Sequence, residues 1–600
     1  MKENQISDKN LSGKALFDNF IYLFFLQRLL FRDSFEFIEP LGLFSLASFI
    51  EEKGYKPVIF SGTLTEAVNI LERDIDKTGA VGLYCDFENV SAVESFSSYI
   101  KERWNIPVIV GGPQSAALGK KFLADSKCDV IARGEGEYTL WNLLEHFFHG
   151  NKKLTDITSI TYLDEDSNLI KNPQGELIKN LDDLPFPKGS YSLTGKKNNI
   201  SIMTGRGCPF SCAFCYQSGI EKNVRLRSAG NVMEEIKYCL KDNPQARYIW
   251  FADDTFTLSE ERMKEFCRKL SLLRRERDFV WFCEGHPATL VKWPHMIKEM
   301  VDAGLVRMQI GIESGSTFVI DKYNKKTTLK EIEEVVRLCY EAGLPQLCGN
   351  IIVGGAFENK DTLEETCEFI KKIMTEAPGM VDIGLTLFMP FPCTTMTDNP
   401  EKFGMKIIDT GAVISTGDYP VAETEELNLS DIARGRKEVF NCLLKTMRDL
   451  LKKDMIPHKY IKEHYRLSID YGIGSFWYNA VYAKDTFLNR YYKLLVKTSA
   501  KTTEDIGEEE LYKWKPLRVF MLSNALSWDN FSPDITGYIL SPLEYELMLL
   551  CSGKISLEEI IRLVCEKFNQ RFDSRQEGEE LIYNIIKNFE KKHWIVFVPS

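Results

Sequence analysis

Histidine is scarce in this chain: seven among 600 residues, and none before His146. No imidazole ligand can come from the first quarter. The apolar run Phe20–Phe31 is short and carries Gln27 and Arg28, too short and too polar to span a bilayer. The first fifteen residues are polar and charged, with no secretory signal. No internal repeat or low-complexity tract is visible. A net charge of −11 disfavours wholesale binding to nucleic acid or an acidic membrane. The fifteen cysteines are odd in number and mostly scattered, which argues against a disulfide framework. What is left is a cytoplasmic globular chain, 44% hydrophobic and 27% charged, long enough for several domains.

Strand and helix signals alternate over residues 35–150. Lys56–Phe60, Val81–Tyr84, Ile106–Val110 and Val130–Ala132 are short apolar strands. Gly42–Ile50 and Tyr138–Phe148 are helices. This order predicts a doubly wound parallel sheet, Rossmann-like, over residues 1–150. Ligands of such sheets sit beyond the carboxyl ends of the strands, where Gly111-Gly112-Pro113 and Gly134-Glu135-Gly136-Glu137 fall. The opening strand is irregular and hard to place. Residues 151–195 are polar and predict a linker with a hairpin.

Alternation resumes over residues 196–400, with strands at Ile200–Thr204, Tyr248–Phe251, Val280–Cys283, Val306–Ile312, Gly349–Val353 and Ile383–Phe388. Six β/α units fit a parallel barrel or a partial one. Residues 401–515 read as helical, with a long amphipathic helix at Leu429–Leu451. Residues 516–600 predict a small α+β domain. Its strands are Leu517–Leu522, Gly537–Leu540 and Trp594–Val598. The first of its three helices presents Leu543, Leu547, Leu550 and Cys551. The second opens on a Ser556/Glu559 capping box, and the third is Glu579–Phe589.

One cysteine group is closely spaced: Gly207-Cys208-Pro209-Phe210-Ser211-Cys212-Ala213-Phe214-Cys215-Tyr216. Its spacing is C-x3-C-x2-C, just after the first strand of the second domain. Three thiolates on one loop can hold three irons of a cubane and leave the fourth open. Structural zinc wants four ligands in paired spacings, and no partner Cys or His pair is near.

This loop resembles that of the radical S-adenosylmethionine superfamily, including the aromatic Phe214 before the last cysteine. The resemblance covers about 200 residues. It implies a partial (β/α)6 barrel, a [4Fe–4S] cluster on Cys208, Cys212 and Cys215, and S-adenosylmethionine on the open iron. Cleavage of that cofactor gives methionine and a 5′-deoxyadenosyl radical that takes hydrogen from the substrate. An electron donor such as flavodoxin or ferredoxin is implied as a partner. Other segments fit the same template. Asp253 and Asp254 follow the second strand and either bind polar groups of cofactor or substrate or cap a helix. Glu313 and Ser314, in Gly311–Gly315, resemble the segment contacting the methionyl and ribose part. Gly354, in Gly349–Gly355, resembles the segment near the adenine, with a plain turn as the alternative. Arg227 matches a basic residue common downstream of the loop, or is a solvated surface Arg. No second cysteine cluster appears.

Residues 39–150 resemble the cobalamin-binding domain that precedes many such barrels, through Glu39-Pro40-Leu41-Gly42, Gly111-Gly112-Pro113 and Arg133–Glu137. The resemblance implies that Gly111, Gly112, Pro113, Gly134 and Glu135 approach a corrin. With no histidine before His146, that corrin lacks an axial imidazole from this domain. Some relatives keep the domain as a scaffold without cobalamin. Residues 516–600 resemble the PqqD-like winged-helix module, which binds the leader of a precursor peptide as an added strand; a generic capping domain is the alternative. Together the parts imply a cobalamin-dependent radical C-methyltransferase acting on an unactivated carbon of a ribosomally made peptide. Three alternatives stand beside it. The first is a radical epimerase or cross-linking enzyme without methyl transfer, drawing on Cys283, Cys348 or Cys393 as hydrogen donor. The others are a small-molecule radical methylase and a binding regulator with a vestigial barrel.

Overall fold

The computed structural model describes residues 20–27, 40–188, 199–220, 222–408, 419–520 and 540–599. The chain forms two compact units, residues 1–446 and 447–600, and the helix Leu429–Lys452 contains the boundary.

The first unit opens with a seven-stranded sheet: β1 (Phe20–Leu26), β2 (Lys56–Gly62), β3 (Thr78–Tyr84), β4 (Val108–Gly111), β5 (Val130–Ala132), β6 (Ile160–Leu163) and β7 (Leu169–Lys171). Its order is β2-β1-β3-β4-β5-β6-β7, with β1 to β5 parallel. The run that was hard to place is the inner strand β1. Ile21 and Leu23 face one helical layer; Tyr22, Phe24 and Leu26 face the other. A strand buried on both faces is continuously apolar, so it shows no alternation. The expected linker hairpin is β6 and β7. It pairs antiparallel onto β5 and extends the sheet, so it is not a connector.

Chain direction across the sheet reverses between β1 and β3, which places a crevice at their carboxyl ends. Asn89 closes the crevice floor, its amide donating to the carbonyls of Leu26 (3.3 Å) and Tyr84 (2.9 Å).

The second sheet has six strands, all parallel, in the order β15-β14-β13-β12-β11-β8. They are β8 (Asn199–Ile202), β11 (Tyr248–Phe251), β12 (Val280–Gly285), β13 (Leu305–Glu313), β14 (Gln346–Val353) and β15 (Val381–Leu387). The remaining pairs are β9 (Gly205–Arg206) with β10 (Arg225–Leu226), and β16 (Met405–Ile407) with β17 (Ala422–Thr424). Helices between the strands are capped as their sequences dictate; Thr328 and Glu331 form a reciprocal capping box before Leu329–Ala342. This mixed α/β architecture agrees with the expected fold class.

The second unit holds the helices His458–Tyr471, Thr486–Lys497, Pro542–Leu550, Leu557–Lys567 and Arg575–Lys591. It also holds the antiparallel pair β18 (Lys515–Arg518) and β19 (Ile595–Val598). The expected strand at 537–540 lies, up to residue 539, outside the described residues. Ser556 caps its helix through the Glu559 amide (3.2 Å), and the reciprocal half of the expected box is not formed. No helix among the described residues is long and apolar enough to cross a membrane.

Candidate functional site

The cysteine loop leaves the carboxyl end of β8 and is clamped at its base by β9 and β10. Gly205 permits this clamp, since a Cβ there would sit 2.6 Å from Leu226 Cδ2. Backbone bonds then pin the loop across the barrel mouth. Ala213 N–H donates to Tyr323 O (2.9 Å), and Met396 N–H to Ala213 O (3.0 Å). Asn324 Nδ2 donates to Ser211 O (2.9 Å). The Ser218 hydroxyl lies against the carbonyls of Cys212 (2.8 Å) and Cys215 (2.7 Å). Phe214 meets Tyr323 edge to face at 5.1 Å, and Phe210 stacks on His286 at 3.6 Å.

Cys208, Cys212 and Cys215 are electrostatic neighbours on this loop. Burial pushes the Cys212 thiol up to about 11, against the pull of Lys325, and raises Cys215 as well. A bound metal's own charge would favour the thiolate form against that burial. No three ligating side chains converge on a single-ion site among the described residues. A lone zinc would need such convergence, whereas a cubane asks only that each of the three thiolates bind a different iron.

Both aspartates after β11 are taken up by the loop's own scaffold. Asp253 accepts from the amides of Thr204 (2.6 Å) and Gly205 (3.2 Å) and from the Thr204 hydroxyl. Burial raises its carboxyl to about 6 against those bonds and Arg262. Asp254 is raised by burial too, and it accepts from the Gln217 side chain and the Gly207 amide. Arg227 is not a solvated residue. It donates to Met203 O (2.8 Å) and Asn231 Oδ1 (2.9 Å) and pairs with buried Glu235. All three residues brace the loop.

Glu313 lies at φ +64°, its side chain buried, 2.6 Å from Lys325 Nζ. Gly311 makes the space, since a Cβ there would fall 2.0 Å from Glu313 Oε1. Lys325 is an electrostatic neighbour of Cys212 and Cys215. Beside it stands Glu284 on β12, raised to about 7 by burial and then by Asp254, and bonded to Gln309 Nε2 (3.2 Å). His286 Nδ1 accepts from the Ala288 amide, so Nε2 carries the proton and donates to Lys325 O (3.1 Å). Burial, then Lys325, lowers His286 to about 4. Sequence reasoning missed Lys325, Glu284 and His286. A carboxylate ending the strand Val280–Gly285 was a usable signal for Glu284; nothing local marks Lys325.

Ser314 is fully buried, 3.3 Å from Thr366 Oγ1. Gly354, at φ +81°, faces Ile432 Cγ2, which a Cβ would approach to 2.7 Å, and its amide donates to buried Glu358. Cys283 points to the helical layer near Cys267 and Cys339. Cys348 lies near the start of β14, its sulfur 3.0 Å from Arg307 Nε. Of the three candidate hydrogen donors, only Cys393 is exposed at the rim, close to Tyr216.

The rim of the first sheet faces the loop. Tyr84, ending β3, is an electrostatic neighbour of Tyr216, and Phe87 packs on Phe391 at 5.0 Å. Two of the rim glycines serve the chain itself. A Cβ on Gly112 would lie 2.3 Å from Cys85 O, and one on Gly134 would lie 2.6 Å from Gln174 Nε2. A Cβ on Gly111 would make ordinary contact with Ala132, 3.9 Å from its O and 4.0 Å from its Cβ. Pro113 starts the helix Pro113–Ser126. Glu135 accepts from Arg206 Nη1 (2.6 Å) and Arg225 Nη1 (2.9 Å), and so it joins the rim of the first sheet to the β9/β10 ribbon.

Residues 202–370 match the Radical SAM superfamily. The chain is 28% identical over 376 residues to an uncharacterized methyltransferase, PH0819, of Pyrococcus horikoshii, covering 60% of this chain and 77% of that one. It is 26% identical over 346 residues to the anaerobic magnesium-protoporphyrin IX monomethyl ester cyclase of Rubrivivax gelatinosus, over 54% of this chain and 61% of the cyclase. The solved cobalamin-dependent S-adenosylmethionine radical enzyme OxsB, with aqua-cobalamin and S-adenosylmethionine bound, shares the fold: TM-score 0.59, 16% identity, 96% of this chain and 84% of OxsB. The chain thus carries a radical S-adenosylmethionine domain. It is an enzyme that uses a [4Fe–4S] cluster and S-adenosylmethionine.

Proposed function

We propose that this protein is a cobalamin-dependent radical C-methyltransferase acting on an unactivated carbon. The observation that carries the proposal is the apposition of the β1/β3 crevice of the first sheet to the cysteine loop, through Tyr84 and Tyr216. When bound, the cluster and S-adenosylmethionine supply the substrate radical and cobalamin supplies the methyl group. Cys208, Cys212 and Cys215 hold the cluster. Lys325 and the carboxylates of Glu284 and Glu313 offer opposite charges to the cofactor's carboxylate and ammonium ends. The Phe210/His286 and Phe214/Tyr323 contacts hold the loop's two aromatic side chains in place. A corrin would lie at the crevice rim, near Gly111 and Tyr84. It would do so without an axial imidazole from residues 1–145, which contain none.

The narrower proposal is a precursor-peptide substrate. It rests on the ribbon and three helices of residues 515–598, and strand addition to that ribbon meets an obstacle. Lys501 already exchanges backbone bonds with Phe597 on one edge (2.8 and 3.0 Å). On the other edge Arg518 N–H donates to Cys551 O (2.9 Å) and Gly553 N–H to Pro516 O (2.9 Å). A leader peptide would therefore bind elsewhere on this unit or displace those bonds.

The test is anaerobic purification from cobalamin-supplied cells with iron, sulfide and corrin quantitation. One cubane and one corrin per chain support methyl transfer. A cubane without corrin overturns it and favours the second reading, radical chemistry without methyl transfer. That reading draws on Cys393 at the rim and on the similarity to a cyclase.

A further inference from the structure

Thirteen of the fifteen cysteines have a plain account. Three lie on the cluster loop, and Cys85, Cys128, Cys267, Cys283, Cys339, Cys348 and Cys551 are buried. Cys239 and Cys565 are half-buried in helices, and Cys393 is exposed at the rim. Cys367 and Cys442 remain, and they face each other. Cys367 lies in the helix Lys360–Glu376 and Cys442 in Leu429–Lys452. The Cys442 sulfur is 3.7 Å from Cys367 O, and the two thiols share a side-chain hydrogen bond. Both are half-buried, so small reagents reach them.

We propose that Cys367 and Cys442 form a redox-active dithiol, converted to a disulfide by low-molecular-weight disulfides. The Cys442 thiolate attacks one sulfur of the reagent and expels a thiolate, leaving a mixed disulfide. Cys367 then gives up its proton, its thiolate attacks the Cys442 sulfur, and the second reagent thiolate leaves and takes that proton. The dithiol is oxidised by two electrons, and one reagent disulfide is reduced to two thiols. Closure needs side-chain rotation to an S–S length of about 2 Å. The order of attack follows the local charges. The Cys367 S–H holds the Cys442 thiol below its usual range, helped against burial by the Thr446 hydroxyl and Lys371; Cys367 is raised in turn. A thiolate is the attacking species in such exchange.

The bond would lock the helix Leu429–Lys452 onto the barrel. Its Gly435 packs on Leu363, where a Cβ would fall 2.6 Å from Cδ1, and its Ile432 packs on Gly354. The lock does not depend on the proposed methyl transfer.

The experiment treats the anaerobic, cluster-loaded full chain with oxidised glutathione and maps peptides without reduction. The expected result is loss of two free thiols and one linked peptide pair, Cys367 to Cys442, reversed by dithiothreitol. In Cys367→Ser the reaction should stop at glutathione on Cys442, and in Cys442→Ser residue Cys367 should stay free. Absence of the linked pair, or glutathione on Cys367 in the Cys442→Ser chain, overturns the proposal.

Discussion

Arg206, on the β9/β10 ribbon, meets Glu137, which opens the helix Glu137–Leu144 after β5, guanidinium Nη2 2.6 Å from carboxylate Oε1, with 4% of the glutamate side chain exposed. Arg206 stands two residues before Cys208, so this pair ties the cluster loop to the rim of the neighbouring sheet. Burial pushes the Glu137 carboxyl up, but Arg206 and the Ser45 hydroxyl outweigh it and hold the group below its usual range.

Removing one partner strands a buried charge. Arg206→Met should cost about 3–5 kcal/mol, and Arg206→Met with Glu137→Gln should recover part of it. Chemical denaturation of both variants checks this; equal losses in the two would refute the pairing as the cause.

Gly355 sits where a side chain has no room: a Cβ would fall 1.7 Å from the Tyr323 hydroxyl and 2.8 Å from Tyr323 Cζ. Gly355→Ala should destabilise by about 1–3 kcal/mol through overpacking. Adding Tyr323→Phe should restore part of the loss. Melting temperatures of the single and double variants decide it, and no rescue would place the strain elsewhere.

His593 gives the second unit a pH response. Burial, then His458, lowers it to about 4, while Asp485 and Asp454 oppose. Tyr491 and Tyr492 also pack around it. The unfolded chain takes the proton first, near pH 6.5, so stability should fall between about pH 6.5 and about pH 4. The full loss is on the order of 3 kcal/mol. His593→Asn, whose side chain tolerates φ +59°, should flatten that slope in denaturation curves taken across the window. An unchanged slope would assign it to other groups.

Cys212→Ala should drop iron to background and abolish 5′-deoxyadenosine formation, whereas Cys393→Ser should keep the cluster and methyl transfer. Iron assay and product chromatography separate the two. Retained iron in Cys212→Ala would remove the cluster assignment, and lost product in Cys393→Ser would favour a hydrogen-donor role.

The cysteine triad was legible because its three members lie within eight residues of one loop, Cys208 to Cys215. Local spacing and local chemistry coincide there. Strands such as Tyr248–Phe251 were legible for a similar reason, as short apolar runs between helical patterns. The strand Phe20–Leu26 was not, because burial on both faces erases alternation.

Asp253, Arg227 and Glu135 illustrate the other limit. Each is a charged residue at a strand or loop end, which sequence alone reads as a contact to cofactor. Their partners, Thr204, Glu235 and Arg206, lie 49, 8 and 71 residues away. Only the fold brings these partners within reach, and once it does, the charges are spent on scaffold.

The sequence by itself determined the cysteine triad, the alternation of strand and helix, and the absence of an imidazole before His146. These depend on neighbours along the chain. Tertiary structure alone decided that Lys325 stands beside the cluster loop, that Arg206 latches the β9/β10 ribbon to the rim of the first sheet, and that Cys367 meets Cys442. Those relationships are set by which elements pack together, and a buried charge or thiol takes its chemistry from whatever the packing places next to it.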